Sequence, residues 1–215
     1  MRSSTRRADP SASIPRVSWI ERIPYERASG RLRAIYDRIK GPHGELDNIL
    51  TVHSLRPHTL EGHMALYKNV LHHSSNRLST SLLETIGIYV SVLNRCDYCV
   101  DHHVAGLGRL LSDDRRASEI RASLETDTLG TFDLRERAML SYARQLTLDP
   151  ASVGADDLER LRVAGLDDGE ILEVNQVAAY FAYANRTVLG LGVTTQGDNL
   201  GLSPSDTGDD TWGHS

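Results

Sequence analysis

Two cysteines and a histidine share the run Cys96-Asp97-Tyr98-Cys99-Val100-Asp101-His102-His103, and the chain has no other cysteine. Upstream, inside an apolar stretch, stands Glu84, so the constellation reads Glu-x11-Cys-x2-Cys-x3-His. On a helix, Cys96, Cys99 and His103 fall on one stripe and can meet in one place. If the helix starts near Cys96, its first-turn amides favour an anion there, which lowers a thiol pKa. A thiolate attacks a peroxide or a disulfide, and the resulting sulfenic acid condenses with a neighbouring thiol. Glu84, desolvated in its apolar helix, is expected to have a raised pKa and to relay protons with His103. The spacing leaves open which cysteine attacks first.

Other chemistries weigh against this one. Cys96, Cys99 and His103 could ligate zinc with Glu84 or His102 as the fourth donor, but three ligands on one helical stripe are an unusual zinc geometry. Covalent haem attachment is excluded in its usual form, because Val100 follows the second cysteine where histidine is required. A thioredoxin-like reading needs a strand before the CxxC. Ser81-x-x-Glu84 also fits a helix-capping box, with Ser79 competing for the cap. His102 points about 100° away from His103 on a helix and reads as a neighbouring or surface residue. Tyr98 could donate a hydrogen bond to substrate or simply pack. His53, His58, His63, His72 and His73 read as solvated or interface histidines. Tyr180, Phe181 and Tyr183 read as core aromatics, and Asn185 as a buried amide that needs partners.

The elements that must position these residues are helical. Leu60, Met64, Tyr67 and Leu71 mark one helical face, as do Met139, Tyr142 and Leu146, and Ile171, Val174, Ala178 and Phe181. Leu82 to Leu93 is apolar nearly all round, which predicts a helix buried on most sides. Asp133-x-x-Glu136 and Asp167-x-x-Glu170 read as capping boxes, while Pro150 and Gly165 read as helix ends. The pattern predicts helices at 25–40, 59–75, 80–94, 96–111, 114–124, 133–147, 155–163 and 168–190. Asn94-Arg95 reads as the break before the helix that carries the cysteines.

The 215 residues fit one domain with tails: an arm over 1–15 expected to be disordered, a helical domain over 16–194, and a flexible tail over 195–215. A net charge of −5 argues against general nucleic-acid binding. No uncharged apolar run reaches the roughly 20 residues of a membrane span. The stretch Met1 to Arg16, with Arg2, Arg6, Arg7 and Arg16 and no apolar core, does not read as a secretory signal. A cytoplasmic protein is expected, where a CxxC pair points to redox or metal chemistry.

At these residues the sequence resembles the alkylhydroperoxidase D-like group of the carboxymuconolactone decarboxylase superfamily, closest to its peroxidase-related proteins. The Glu84, Cys96, Cys99 and His103 spacing carries the resemblance. It is joined by Asn48-Ile49-Leu50, His53-Ser54-Leu55-Arg56-Pro57, Val90 to Asn94, Gln176 to Phe181, Asn185-Arg186 and Leu191-Gly192-Val193. The resemblance implies an all-α fold with the CxxC at the start of a helix, packed against a buried apolar helix. It implies a homo-oligomer, trimeric or hexameric, and an antioxidant thiol peroxidase acting on organic hydroperoxides or hydrogen peroxide. By position Cys99 matches the peroxidatic cysteine, Cys96 the resolving one, and Glu84 and His103 the proton relay. The best-studied type has histidine where Tyr98 stands here. No bound cofactor is implied, but an external dithiol reductant is, in that type a lipoyl-bearing protein. Two other readings remain: a carboxymuconolactone decarboxylase-like enzyme, and a non-enzymatic redox sensor or disulfide-exchange protein.

Overall fold

The structure is a computed structural model that describes residues 16–41 and 43–202. Among the described residues every regular element is a helix, and none is a strand. The helices are α1 (Gly30–Ile39), α2 (Asn48–Thr51), α3 (Pro57–Leu71), α4 (Thr80–Leu93), α5 (Asp97–Leu111), α6 (Asp114–Glu125), α7 (Leu134–Leu148), α8 (Ala155–Val163) and α9 (Asp168–Leu191). None of the described helices is long and apolar enough to cross a membrane.

Helix α4 is the hub and packs against α3, α5, α6, α7 and α9. Its composition requires this, since an unbroken run from Leu83 to Ser91 is buried. Gly87 lets α9 approach most closely, because a Cβ there would sit 2.0 Å from the Phe181 ring. The three apolar stripes read from the sequence all face this core, with only Leu146 partly exposed. Both predicted acidic capping boxes form, at Asp133/Glu136 and Asp167/Glu170.

The turn between α4 and α5 delivers the cysteines. The Arg95 N–H bonds the carbonyl of Val92 and the Cys96 N–H that of Ser91, the bonding of a Schellman motif. That motif puts Arg95 in the left-handed region, at φ 57°. The chain re-enters a helix at once, with Cys96 as the N-cap of α5 and Cys99 in its first turn. The long α4·α5 contact is the expected packing of the CxxC helix on a buried apolar helix.

Three boundaries differ from the sequence reading. The segment 25–40 splits into a 3-10 turn at Tyr25–Arg27 and α1, because Ala28 and Ser29 are extended. The short α2 carries too few residues to show a period. Helix α3 starts with Pro57 in its first turn and ends at Leu71, so His72 and His73 lie beyond it. Residues 195–202, expected as the start of a flexible tail, are held in place. They lie against α2 and α5, tied down by hydrogen bonds from Asn48 and Arg109. The expected arm over 1–15 and the rest of the tail fall outside the described residues.

Candidate active site

Glu84 lies in the middle of α4, fully buried. Its Oε2 accepts from His103 Nδ1 at 2.6 Å, and its Oε1 faces His72 Nε2 at 3.8 Å. Ser79, not Ser81, caps the helix by accepting from the Leu82 N–H, so the capping-box role for Glu84 is set aside. The expectation of a raised Glu84 pKa is also corrected. Burial pushes it up, but the charge and hydrogen bond of His103, with the charge of His72, together outweigh burial and leave it below the ordinary carboxylate range. The residue is therefore a carboxylate at neutral pH, not a proton store. Donation of Nδ1–H to Glu84 selects one tautomer and leaves His103 Nε2 as a proton acceptor. Phe181 holds the same imidazole edge-on, at 4.6 Å between ring centres.

Cys96 and Cys99 are free thiols with their sulfurs 2.9 Å apart. The hydrogen bond from Cys99 pulls the Cys96 thiol down against burial, and the Cys99 backbone N–H adds to that effect. The same bond and burial push Cys99 well up. The pair thus holds one shared negative charge before it can hold two. The amide of Asn185, buried between Ser91 and Asn94, also favours the anion at both sulfurs.

Only one sulfur faces open space. Cys99 and His103 line a cavity of about 50 Å³ together with Ile49, Met64, Tyr67 and Tyr180, whereas Cys96 is sealed behind the helix start. A space of this size holds a few water-sized molecules or the head of a small hydroperoxide. The walls are mostly apolar and aromatic, so a thiolate here is poorly hydrated.

A second polar cluster borders the cavity. Tyr98 donates its hydroxyl to Asp198 Oδ2 at 2.7 Å and accepts from the Ile49 N–H at 3.1 Å. The ring of Tyr98 lines the cavity, but its hydroxyl proton is already used within the protein, so the expected donation to substrate is replaced by a bond to Asp198. His102 lies against the Tyr98 ring and between two carboxylates, with Nε2 3.2 Å from Asp198 and Nδ1 4.0 Å from Asp47. Burial, with Asp198 nearby, raises Asp47 to about 6 against the opposing charge of His102. Donor atoms of Asp47, His102 and Asp198 lie within 4.8 Å of one another and are the described group best placed to hold a cation. His102 and Asp198 are already hydrogen-bonded to each other.

The sequence motif therefore meets in space. Glu84 and His103 bond directly, Cys96 and Cys99 touch, and Cys99 shares a cavity with His103. The histidine expectation is corrected at three of five positions. His53 and His63 are buried and stack at 5.0 Å, with His63 driven down to about 3 by burial, and the His72 side chain is buried beside Glu84. His58 and His73 are exposed as expected. The sequence reading missed Asp47 and Asp198, which lie in polar segments with no period to mark them. It also gave His72 no role at Glu84.

The carboxymuconolactone decarboxylase family profile matches residues 57–145, the span that holds Glu84, both cysteines and His103. The structure is similar to an uncharacterized peroxidase-related protein from Silicibacter sp. TM1040 (TM-score 0.64, 26% identity, covering 70% of this chain and 77% of that one). It is similar to the alkylhydroperoxidase core of a peroxidase-related protein from Ralstonia eutropha JMP134 (TM-score 0.74, 21% identity, covering 84% and 93%). It is also similar to the debrominase Bmp8 (TM-score 0.65, 18% identity, covering 84% and 92%). At these identities the last two carry the fold alone. No functionally curated protein matches the sequence. The carboxymuconolactone decarboxylase family match thus lies over the relay and both cysteines, within a fold like that of the alkylhydroperoxidase core.

Proposed function

We propose that the protein is a thiol peroxidase that reduces hydroperoxides through Cys99 and Cys96. The observation that carries this reading is the placement of Cys99 and His103 on one small cavity, with Glu84 fixed behind the histidine at 2.6 Å. The pair's single negative charge moves to Cys99 as the shared proton moves to Cys96. Cys99 Sγ attacks the outer peroxide oxygen and the O–O bond breaks. His103, which takes on Nε2 the proton lost by the thiol pair and is held by the Glu84 carboxylate, gives that proton to the departing alkoxide, which leaves as alcohol. The Cys99 sulfenic acid then meets Cys96, already in contact, and the disulfide forms with loss of water. Two electrons and two protons from an external dithiol restore the thiols. A lipoyl-bearing protein is one such reductant, and trimers or hexamers are the proposed assembly.

The test follows free thiols and intact mass after one equivalent of an organic hydroperoxide is added to reduced protein. The reading expects rapid loss of both thiols into an intramolecular disulfide, no such loss in Cys99→Ser, and a trapped sulfenic acid in Cys96→Ser. Thiols that stay reduced in wild type reject it in favour of decarboxylase-like chemistry. Fast oxidation with negligible turnover by every dithiol identifies a redox sensor.

A further inference from the structure

The thiol pair is nearly sealed: Cys96 is 0% and Cys99 3% exposed. The cavity beside Cys99 admits a hydroperoxide head but not a dithiol, yet thiol–disulfide exchange requires the attacking sulfur to touch the disulfide. One wall has to move. Helices α2, α3, α5 and α9 supply most of the lining and belong to the packed body. The remaining lining is Asp47, the N-cap of α2, and Leu202, at the end of the non-helical segment 195–202.

That segment is held mainly by side-chain hydrogen bonds. Asp198, with its side chain 2% exposed, accepts from the Asn48 N–H at 3.0 Å, from Tyr98 at 2.7 Å and from His102 Nε2 at 3.2 Å. Asn48 Nδ2 donates to the carbonyls of Thr194 and Gln196. Arg109, from the far end of α5, donates to the carbonyls of Leu200 and Gly201 at 2.7 Å each. Gly201, at φ 76°, lays its backbone directly on Ala105 and Gly106, where a Cβ would come within 2.6 Å. Two of the Asp198 partners, Tyr98 and His102, flank Cys99 in the CxxC helix itself. A non-helical segment held at a few polar points belongs to the least stable part of a fold and opens without global unfolding.

We propose that Asp198 determines access to the cysteines: it latches residues 195–202 across the thiol pocket, which is open to hydroperoxide-sized molecules and closed to a dithiol reductant until the latch releases. The identity of the entering dithiol rests on the peroxidase reading, whereas the latch rests on geometry alone. Asp198 is a positioning residue and touches no reacting atom.

The experiment compares two reagents of one chemistry and different bulk, iodoacetamide and a polyethylene-glycol iodoacetamide, on reduced full-length protein. Wild type is compared with Asp198→Asn, which weakens the inner latch, and Arg109→Met, which frees the outer end without touching Tyr98 or His102. Loss of one charge-assisted bond should raise the open population, and with it labelling by the bulky reagent, by about tenfold or more. Labelling by the small reagent should change by less than about threefold, since the small cavity already serves it. Equal rates for the bulky reagent in wild type and in folded Arg109→Met would overturn the latch, as would bulky labelling of wild type as fast as small. If Asp198→Asn does not fold, Arg109→Met decides alone. No peroxide takes part, so failure of the peroxidase reading appears only in the peroxide test.

Discussion

Glu84→Gln isolates the relay. Glutamine has almost the volume of glutamate, so the buried site keeps its packing and loses only the charge. In the native protein the 2.6 Å bond from His103 Nδ1 is charge-assisted, and its Glu84 end is fully buried. Such bonds contribute roughly 1.5–3 kcal/mol. At about 1.4 kcal/mol per tenfold change, losing this one should slow oxidation of Cys99 by about 10- to 150-fold. The amide also has an N–H that can force His103 into the wrong tautomer, with Nδ1 accepting and Nε2 unable to take a proton. The assay is single-turnover loss of free thiols with excess hydroperoxide, run from pH 5 to 9, beside urea unfolding of both proteins. Stability carries its own sign. Glu84 is held below the ordinary carboxylate range in the fold, so its contribution is complete above its unfolded pKa and disappears as pH falls through the folded one. Wild type should therefore be more stable than Glu84→Gln at pH 7, and the gap should close in acid. Oxidation within twofold of wild type, with an unchanged pH profile, would refute the relay.

Three further outcomes follow from the packing. Asp47 titrates near 6 instead of its ordinary 3.8 because it is buried, so the native protein should lose stability as pH rises from about 4 through 6. That gap is worth roughly 3 kcal/mol at most, and Asp47→Asn should flatten the dependence and match or exceed wild type at pH 8 in urea unfolding. Gly87→Ala would place a methyl inside the Phe181 ring and should destabilise by about 1–3 kcal/mol or more, read as a lower melting temperature. Because Phe181 also holds His103, the same variant should slow thiol oxidation. Arg95→Gly relieves a left-handed residue in the turn before Cys96 and should stabilise by about 1 kcal/mol, provided its unfolded-state entropy cost stays smaller; a lower melting temperature would contradict the strain argument.

The helices and the chemistry of the central motif were legible in the sequence because both are local. Periodic apolar residues, acidic capping boxes and the Cys-x2-Cys-x3-His stripe act within one or two turns, and α4 reads as a buried hub from its composition alone. Interactions that cross the chain were not legible. The Glu84 pKa depended on two histidines from other elements, and their combined effect reversed the sign that burial alone would give. Which sulfur meets the cavity depended on how the helix start is seated against α2, α3 and α9, because spacing makes the two cysteines equivalent. Asp198 lies in a segment whose composition reads as a tail, and only the distant partners Asn48, Tyr98 and His102 give it a place. A local pattern sets which face of a helix is apolar, but tertiary packing sets the dielectric and charge around a side chain. The proton affinities and accessibility of this site were therefore decided by tertiary structure.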